Sequence, residues 1–435
     1  MVFMTGFCKP KYKRYIVAVA HADYLKSTGG VEKLISEHAR LFERQEISYV
    51  FLCPLKPYLG VYMFYIDGVF HGSYPISAII GMISGWNRIL TGIHIHHILN
   101  WHMCDILELV SSIDTHYLVY LHDYYLICGQ YTLINSDGNY CGGQLPSQQK
   151  CSTCSFWQQE QDRQRECQQF LTAIAERDTE FIAPSQFVKS IWISTYDQFK
   201  NQTYVIEHLV LLNPVQNERK LHAPFRIAYI GAQYDIKGWP FFEELAERLK
   251  GDSRYEFFHF GMPRIKNESI SNIPVLYSTD GMSAMQQRIR DNNIDFAVFF
   301  SKWPETYNYT CYEAYLGGAF LITNEISGNI RCMVESFHCG TVVRSAEDLY
   351  LLFSSGKAID LLKQYISSEN YKVPTSSKPN DEIVNRVKLS SKTEFFSRPI
   401  FVITEPKEAI RIETIRLLKK YKLKYPKILK RVRFR

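Results

Sequence analysis

Short apolar runs alternate with amphipathic helical stretches along most of the chain. The strand-like runs are bounded by turn residues, whereas the stretches between them repeat apolar residues at helical spacing. We predict strands at 15–20, 49–52, 61–66, 116–121, 180–183, 204–206, 227–230, 257–260, 296–300 and 319–323, and helices at 31–42, 241–249 and 282–291. This order predicts an α/β fold made of two doubly wound, Rossmann-like domains that face a central cleft.

The length of the chain supports two domains. A chain of 435 residues exceeds the size at which one hydrophobic core keeps growing. A polar, proline-containing segment predicts a linker over 214–224, a first domain over 1–213, a second over 225–365, and an extension over 366–435. With 46% hydrophobic and 22% charged residues, the composition is that of a folded globular protein and excludes a wholly disordered chain.

The segment 295–323 carries the densest candidate chemistry. An apolar run is followed by a loop with Glu305, a helical stretch with Glu313, and a second apolar run. In a parallel sheet such a loop lies at the carboxyl edge of the strands, where open α/β sheets bind ligands. The two carboxylates would then face one crevice. The alternative is a solvated loop carboxylate and a carboxylate on a wet helix face, the usual fate of surface charges.

The residues between the two carboxylates suit a phosphorylated ligand. Asn308 can adopt a left-handed turn conformation and cap the following helix. The backbone amides of Tyr309 and Thr310 would then lie at the positive end of that helix, which attracts anions.

Two other segments fit the same ligand. Gly29 and Gly30 follow the first predicted strand and open a helix, so their backbone can approach a phosphate closely, although a plain flexible loop explains them equally well. Lys237 follows the first predicted strand of the second half and offers a point charge suited to a diphosphate; solvated surface is the alternative for a single lysine.

Taken together, these segments resemble the GT-B glycosyltransferases, in particular the retaining enzymes of the family-4 type. Glu305 and Glu313 match the E-x7-E motif of that family. In order along the chain, 27–42 is similar to its diglycine loop and first helix, 92–102 and 119–128 to its two histidine strands, 181–192 to its strand-Ser-helix step, and 227–239 to the strand and Lys-Gly turn that hold the diphosphate. These matches cover most of residues 14–345.

The resemblance implies a role for each matched residue. Glu305 would orient the donor sugar and Glu313 the ribose, while His122 would contact the far side of the sugar. Lys237 and the helix amides would neutralise the departing diphosphate, so the family requires no metal for catalysis. The chain departs from the family pattern at Ala232, where an arginine is usual, which removes one phosphate contact.

The histidine-rich and cysteine-rich segments raise the question of metal binding. His94, His96 and His97 lack a carboxylate or cysteine at ligand spacing on the same strand, which favours cleft lining and core hydrogen bonds. Four cysteines lie close together in a polar stretch, two of them as C-x2-C: Cys128, Cys141, Cys151 and Cys154. This spacing fits a structural zinc site as well as it fits four separate loop thiols.

The C-terminal stretch 411–435 carries eleven basic residues against one acid, Glu413. A peripheral anchor on an anionic membrane and a solvated tail explain it equally well, and nucleic-acid binding is a third reading that the rest of the chain does not support. No apolar run reaches the length of a transmembrane helix, and no signal peptide is recognisable. We therefore expect a cytoplasmic protein, peripheral on the inner face of the plasma membrane if the tail binds lipid.

These observations predict a retaining glycosyltransferase. It would transfer a hexose from a nucleotide diphosphate sugar to a hydroxyl of a lipid-linked oligosaccharide or polysaccharide acceptor, as in the biosynthesis of cell-surface polysaccharides. The alternative is a non-catalytic nucleotide-sugar or nucleic-acid binding protein with the same fold, which Ala232 and the cysteine cluster keep open.

Overall fold

The computed structural model describes residues 9–27, 29–216, 219–281, 283–369, 371–387 and 393–396. These residues form two compact units. Unit 1 contains the described residues of 1–120, 166–180 and 383–396, and unit 2 contains those of 121–165 and 181–382. The predicted first domain is thus divided, because segments 121–165 and 181–213 group with the second half of the chain.

Helices and strands alternate along the chain. Up to residue 183 they are β1 (Arg14–Val19), α1 (Gly30–Arg44), β2 (Ile47–Pro54), β3 (Tyr62–Ile66), β4 (Val69–Tyr74), α2 (Ile76–Ser84), β5 (Ile89–Ile95), α3 (Met103–Ser112), β6 (Ile113–Asp114), β7 (His116–Tyr120), α4 (Gln148–Cys151), α5 (Trp157–Ala175) and β8 (Asp178–Ala183).

The remaining elements are α6 (Gln186–Thr195), β9 (Thr203–Val205), β10 (Leu209–Gln216), β11 (Phe225–Ile230), α7 (Trp239–Arg248), β12 (Tyr255–Phe260), β13 (Ile270–Ile273), α8 (Tyr277–Asp280), α9 (Ala284–Asp291), β14 (Phe296–Phe299), α10 (Tyr309–Leu316), β15 (Phe320–Asn324), α11 (Asn329–Phe337), β16 (Gly340–Val343), α12 (Ala346–Ser354), α13 (Lys357–Ser367), β17 (Lys372–Pro379), α14 (Glu382–Asn385) and β18 (Glu394–Phe395). All ten predicted strands and the three predicted helices are present, with ends within about two residues of the predicted ones, the usual uncertainty of element boundaries.

In unit 1, the strands follow the order β4-β3-β2-β1-β5-β7. β1 lies between β2 and β5 and pairs with both in parallel, while β3 and β4 add an antiparallel edge. Residues Ile16, Val17 and Ala18 of β1 are completely buried. A strand that is buried on both faces needs apolar residues at consecutive positions, which explains the continuous apolar run of β1.

In unit 2, a parallel sheet follows the order β13-β12-β11-β14-β15-β16. The chain continues to one side of the sheet after β11 and to the other side after β14, so the order reverses between these two strands. Open α/β sheets bind ligands at the carboxyl edge of such a point of reversal. The loops that follow β11 and β14 are therefore the positions at which to look for a site.

The predicted linker over 214–224 begins inside a strand. Residues 214–216 belong to β10, which pairs antiparallel with β17, including Pro214 opposite Pro374. Because these three residues are exposed and include a proline, their sequence is typical of a linker. No helix in the described part of the chain is both long and apolar enough to cross a membrane.

Candidate functional site

The loops after β11 and β14 lie against each other in unit 2. Lys302 donates its backbone N–H to the carbonyl of Ile236 at 2.9 Å, and the Ser301 hydroxyl donates to the same carbonyl at 3.2 Å. Gly238 has φ of 85°, and a Cβ at this position would overlap the carbonyl oxygen of Phe300. The Lys-Gly turn therefore requires glycine both for its backbone conformation and for this close approach.

This contact brings Lys237 to Glu305. The ammonium group of Lys237 lies 3.3 Å from Oε2 of Glu305, and the side-chain amide of Asn308 donates to the same oxygen at 2.8 Å. Glu305 is only 2% exposed. A buried carboxylate is costly without partners, and here a cation and an amide provide them.

Asn308 caps α10 as predicted. Its Oδ1 accepts from the backbone N–H of Cys311 at 2.9 Å and from the Thr310 hydroxyl at 2.7 Å. The predicted left-handed conformation is wrong, since Asn308 has φ of −115° and ψ of 97°. Extended backbone is the usual conformation of a residue that caps the amino end of a helix. Tyr309 and Thr310 form the first turn of α10, at its positive end.

Glu313 lies in the middle of α10 and is 5% exposed. The whole helix except Thr310 is buried, so Glu313 does not lie on a wet face. The solvated alternative is therefore wrong for both carboxylates. Buried charged side chains without a structural or functional reason are rare in proteins.

Two segments that precede β10 hold the loop around Glu305. The Thr306 hydroxyl donates to the carbonyl of His122 at 2.5 Å, and the Tyr124 hydroxyl donates to the carbonyl of Pro304 at 3.0 Å. Ser185, the first residue before α6, donates its hydroxyl to the carbonyl of Thr306 at 3.1 Å. His122 thus lies beside the Glu305 loop within unit 2.

His208 and Asn329 join this site although the sequence analysis did not select them. The ring of His208 lies 5.9 Å from that of His122 and 4.2 Å from that of Tyr307, measured between centroids. Asn329 donates its backbone N–H to the Glu305 carbonyl at 2.8 Å, and its Oδ1 accepts from the backbone N–H of Asn308 at 3.1 Å. A signal was present for Asn329, because the Gly-Asn pair follows β15 and opens α11 at the same sheet edge.

The remaining candidate residues of the phosphate site lie in unit 1. Gly30 is the first residue of α1, and Gly29 precedes it with extended backbone. Both glycines therefore lie at the amino end of a helix that follows the carboxyl edge of β1, as predicted.

The histidines of unit 1 make core hydrogen bonds, as predicted. Nδ1 of His94 lies 3.0 Å from the Tyr120 hydroxyl, and Nδ1 of His97 accepts from the backbone N–H of Leu99 at 2.9 Å. His96 stacks on the ring of Tyr120 at 4.1 Å. Burial lowers the pKa of His94 well below its usual value, so this imidazole is neutral.

The clustered cysteines are free thiols in unit 2. Within the described residues, no group of three or more His, Cys, Asp or Glu side chains is arranged to hold a metal ion. Cys154 donates its backbone N–H to the carbonyl of Cys151 at 2.8 Å, which makes a tight turn of the C-x2-C pair. The zinc site stays a prediction.

A cavity of about 740 Å³ lies at the opposite, amino-terminal edge of the same sheet. Two of its arginines bind the carboxyl end of α10: Arg219 donates to the carbonyl of Gly318 at 2.6 Å and Arg290 to that of Leu316 at 2.8 Å. Cations stabilise the negative ends of helices, so these arginines have a structural role.

Comparison with known proteins supports the fold. No family model and no curated protein matches the chain. The structure of sucrose-phosphate synthase from Thermosynechococcus elongatus is similar, at 12% identity over 94% of this chain and 99% of that chain, with a TM-score of 0.53. The pneumococcal O-GlcNAc transferase GtfA, in complex with UDP and GlcNAc, is similar at 9% identity over 95% of this chain and 100% of that chain, with a TM-score of 0.50. At this identity the likeness shows the fold alone, and it confirms the predicted α/β fold of the GT-B class.

Proposed function

We propose that this chain is a retaining glycosyltransferase of the family-4 type, which transfers a hexose from a nucleotide diphosphate sugar to a hydroxyl group. The observation that carries the proposal is the contact of Lys237 with Glu305 beside the amino end of α10, at the point where the order of the parallel sheet reverses. This position combines a cation and a positive helix end, which suit a diphosphate, with a carboxylate that can accept from sugar hydroxyls.

In this proposal Lys237 and the first amides of α10 bind the diphosphate and stabilise the charge that develops on it as the bond to the sugar breaks. Glu305 orients the donor sugar, Glu313 binds the ribose hydroxyls, and His122 contacts the far side of the sugar. The departing phosphate takes the proton of the acceptor hydroxyl on the same face of the sugar. No protein nucleophile is needed, and orientation contributes a large share of the rate enhancement.

The acceptor in this proposal is a lipid-linked oligosaccharide or a polysaccharide, in the biosynthesis of a cell-surface polysaccharide. The enzyme would act in the cytoplasm, on the inner face of the plasma membrane. The basic segment 411–435 motivates the membrane contact and lies outside the described residues.

A donor panel tests the proposal. Purified protein is incubated with UDP-, GDP-, ADP- and dTDP-sugars and a soluble acceptor mimic, and the products are identified by mass spectrometry. We expect one donor to yield a glycoside whose anomeric configuration, measured by NMR, equals that of the donor. A product of opposite configuration would contradict the retaining mechanism.

A non-catalytic nucleotide-sugar binding protein is the second candidate. Ala232 favours it, because a weaker hold on the leaving diphosphate would slow turnover more than it would prevent binding. Binding of a nucleotide sugar without release of nucleotide diphosphate, at any acceptor tested, would support this candidate over the enzyme.

We also propose a structural zinc held by Cys128, Cys141, Cys151 and Cys154. The protein should contain about one zinc per chain, and the double variant C151S/C154S should release it, because four thiolates bind zinc far better than two. Metal analysis of freshly purified protein measures this. A variant with Cys104→Ser, an exposed thiol outside the cluster, is the matched control.

A further inference from the structure

The charges around the proposed diphosphate position nearly cancel one another. Lys237 pairs with Glu305 at 3.3 Å, and Lys302 pairs with Asp235 at 2.8 Å. Both pairs belong to the two contacting loops after β11 and β14. An incoming diphosphate carries two or more negative charges and would meet no net positive charge from these four side chains. A further cation at this edge of the sheet would strengthen diphosphate binding.

The loop after β12 lies at the same edge of the sheet and carries Arg264. Within the part of the chain that the structure describes, no carboxylate lies within ion-pair distance of Arg264. Its guanidinium lies over the ring of Tyr234, 4.6 Å from the centroid. Tyr234 belongs to the loop after β11, three positions before Lys237. Stacking uses the face of the guanidinium and leaves its N–H groups available in the plane.

The buried side chain of Gln233 holds the backbone at Arg264 in place. Its Oε1 accepts from the backbone N–H of Arg264 at 2.5 Å and from that of Ile265 at 2.8 Å. Its Nε2 donates to the carbonyl of Ile265 at 3.0 Å. Gln233 is 5% exposed, and both polar atoms of its side chain take part in this contact. The loop after β12 is thereby held to the loop that carries Lys237.

We infer that Arg264 is the second cation of the diphosphate site. It contacts the phosphates of the nucleotide diphosphate from the loop after β12, in a chain that has Ala232 where the family pattern has an arginine. The planar guanidinium can donate two parallel hydrogen bonds to phosphate oxygens, which an ammonium group cannot. This inference rests on the proposed function, since it names a further residue of the same donor site.

Binding of nucleotides to the whole protein tests the inference by calorimetry. The probes are UDP, GDP and ADP, each compared with its nucleoside. In wild-type protein we expect one diphosphate to bind more tightly than its nucleoside. Arg264→Ala should lower the affinity for that diphosphate by about ten- to a hundredfold, the usual effect of losing a hydrogen-bonded charged contact. The affinity for the nucleoside should stay unchanged. Arg264→Lys should restore part of the affinity.

The control variant is Arg288→Ala, which removes an exposed arginine of α9 in the same unit. It should bind the diphosphate as the wild type does. If Lys237→Ala weakens diphosphate binding but Arg264→Ala does not, the role of Arg264 is refuted while the proposed function stands. Equal losses of affinity for the diphosphate and the nucleoside would also refute this role, because they would indicate that the substitution displaces the loop after β12. If the wild type binds no nucleoside diphosphate, both proposals fall.

Discussion

Glu305 and Glu313 are both buried, but they differ in what surrounds them. Glu305 accepts from two side chains, those of Lys237 and Asn308, in a loop that three hydrogen bonds from other segments hold in place. Glu313 lies inside a helix. The proposed site thus places one carboxylate beside the cation that would bind the leaving group and the other in the middle of α10.

The two carboxylates should give different kinetic signatures. Glu305→Gln should lower kcat by about ten- to a hundredfold, because it removes a charged acceptor that would act on the reacting sugar. Glu313→Gln should mainly raise the Kd of the nucleotide, by about tenfold, because it would contact only the ribose. Steady-state kinetics together with calorimetry separate these effects. Unchanged kinetics in both variants would remove both residues from the site.

Gly328 controls the same loop through its backbone. It has φ of 62°, and a Cβ would lie 2.5 Å from the Glu305 carbonyl oxygen. Gly328→Ala should lower the free energy of unfolding by about 2–4 kcal/mol through backbone strain and overpacking, and should weaken donor binding. Gly251→Ala is the matched control, since Gly251 also has positive φ, 88°, but open space around its Cβ position. Chemical denaturation measures the free energy of unfolding of both variants. Equal decreases in the two variants would indicate backbone strain alone.

At the level of elements, helix α1 of unit 1 carries His38 against aromatic rings. His38 is fully enclosed, with ring contacts to Phe42, His96 and Tyr120. Burial lowers the pKa of His38 to about 3. Its pKa in the unfolded chain is the ordinary 6.5, so between these values the unfolded state binds more protons than the folded state.

This difference predicts acid sensitivity. Stability should be at its full value above pH 6.5 and fall as the pH decreases toward 3, by about 1.4 kcal/mol per pH unit for His38. His38→Leu should reduce the slope between pH 6.5 and 5 by about one proton, whereas His222→Gln, which changes an exposed histidine, should not. Urea unfolding at several pH values measures the slope. An unaltered slope in His38→Leu would show that this histidine does not couple protons to folding.

At the scale of the whole molecule, the net charge is +6, and eleven basic residues lie in 411–435. Unit 2 alone contains Lys237, Glu305, Asn308, Glu313, Arg264 and His122. We therefore expect the basic segment to act in membrane binding rather than in donor binding.

Removal of residues 411–435 should therefore separate membrane binding from catalysis. Each basic residue near an anionic leaflet contributes about 1 kcal/mol, so the truncated protein should lose flotation with anionic liposomes at low salt and lose activity on a lipid-linked acceptor. Activity on a soluble acceptor mimic should persist. Wild-type flotation should decrease with salt, because charges are screened within about 8 Å at physiological ionic strength. Equal flotation of both proteins would mean that the segment is a solvated tail.

The sequence by itself predicted ten strands and three helices in the order that the structure shows, the E-x7-E spacing and the cap at Asn308. These features depend on neighbours within a few positions: buried strands need consecutive apolar residues, and a capping side chain reaches only the next turn. Strands β10 and β17 were missed because both contain proline, which is unusual inside strands. Each strand finds its hydrogen-bonding partner in a segment more than 150 positions away, which the residues alone do not reveal.

Only the tertiary structure decided which distant residues meet. Lys237 and Glu305 are 68 positions apart, and Thr306 and His122 are 184 apart. Such contacts depend on which strands are adjacent and on which edge their loops emerge, and this adjacency is a property of the whole packed sheet. The same reason explains why His208 and Arg264 escaped a reading of the chain: each lies beside a neighbour that folding, and not sequence, places there.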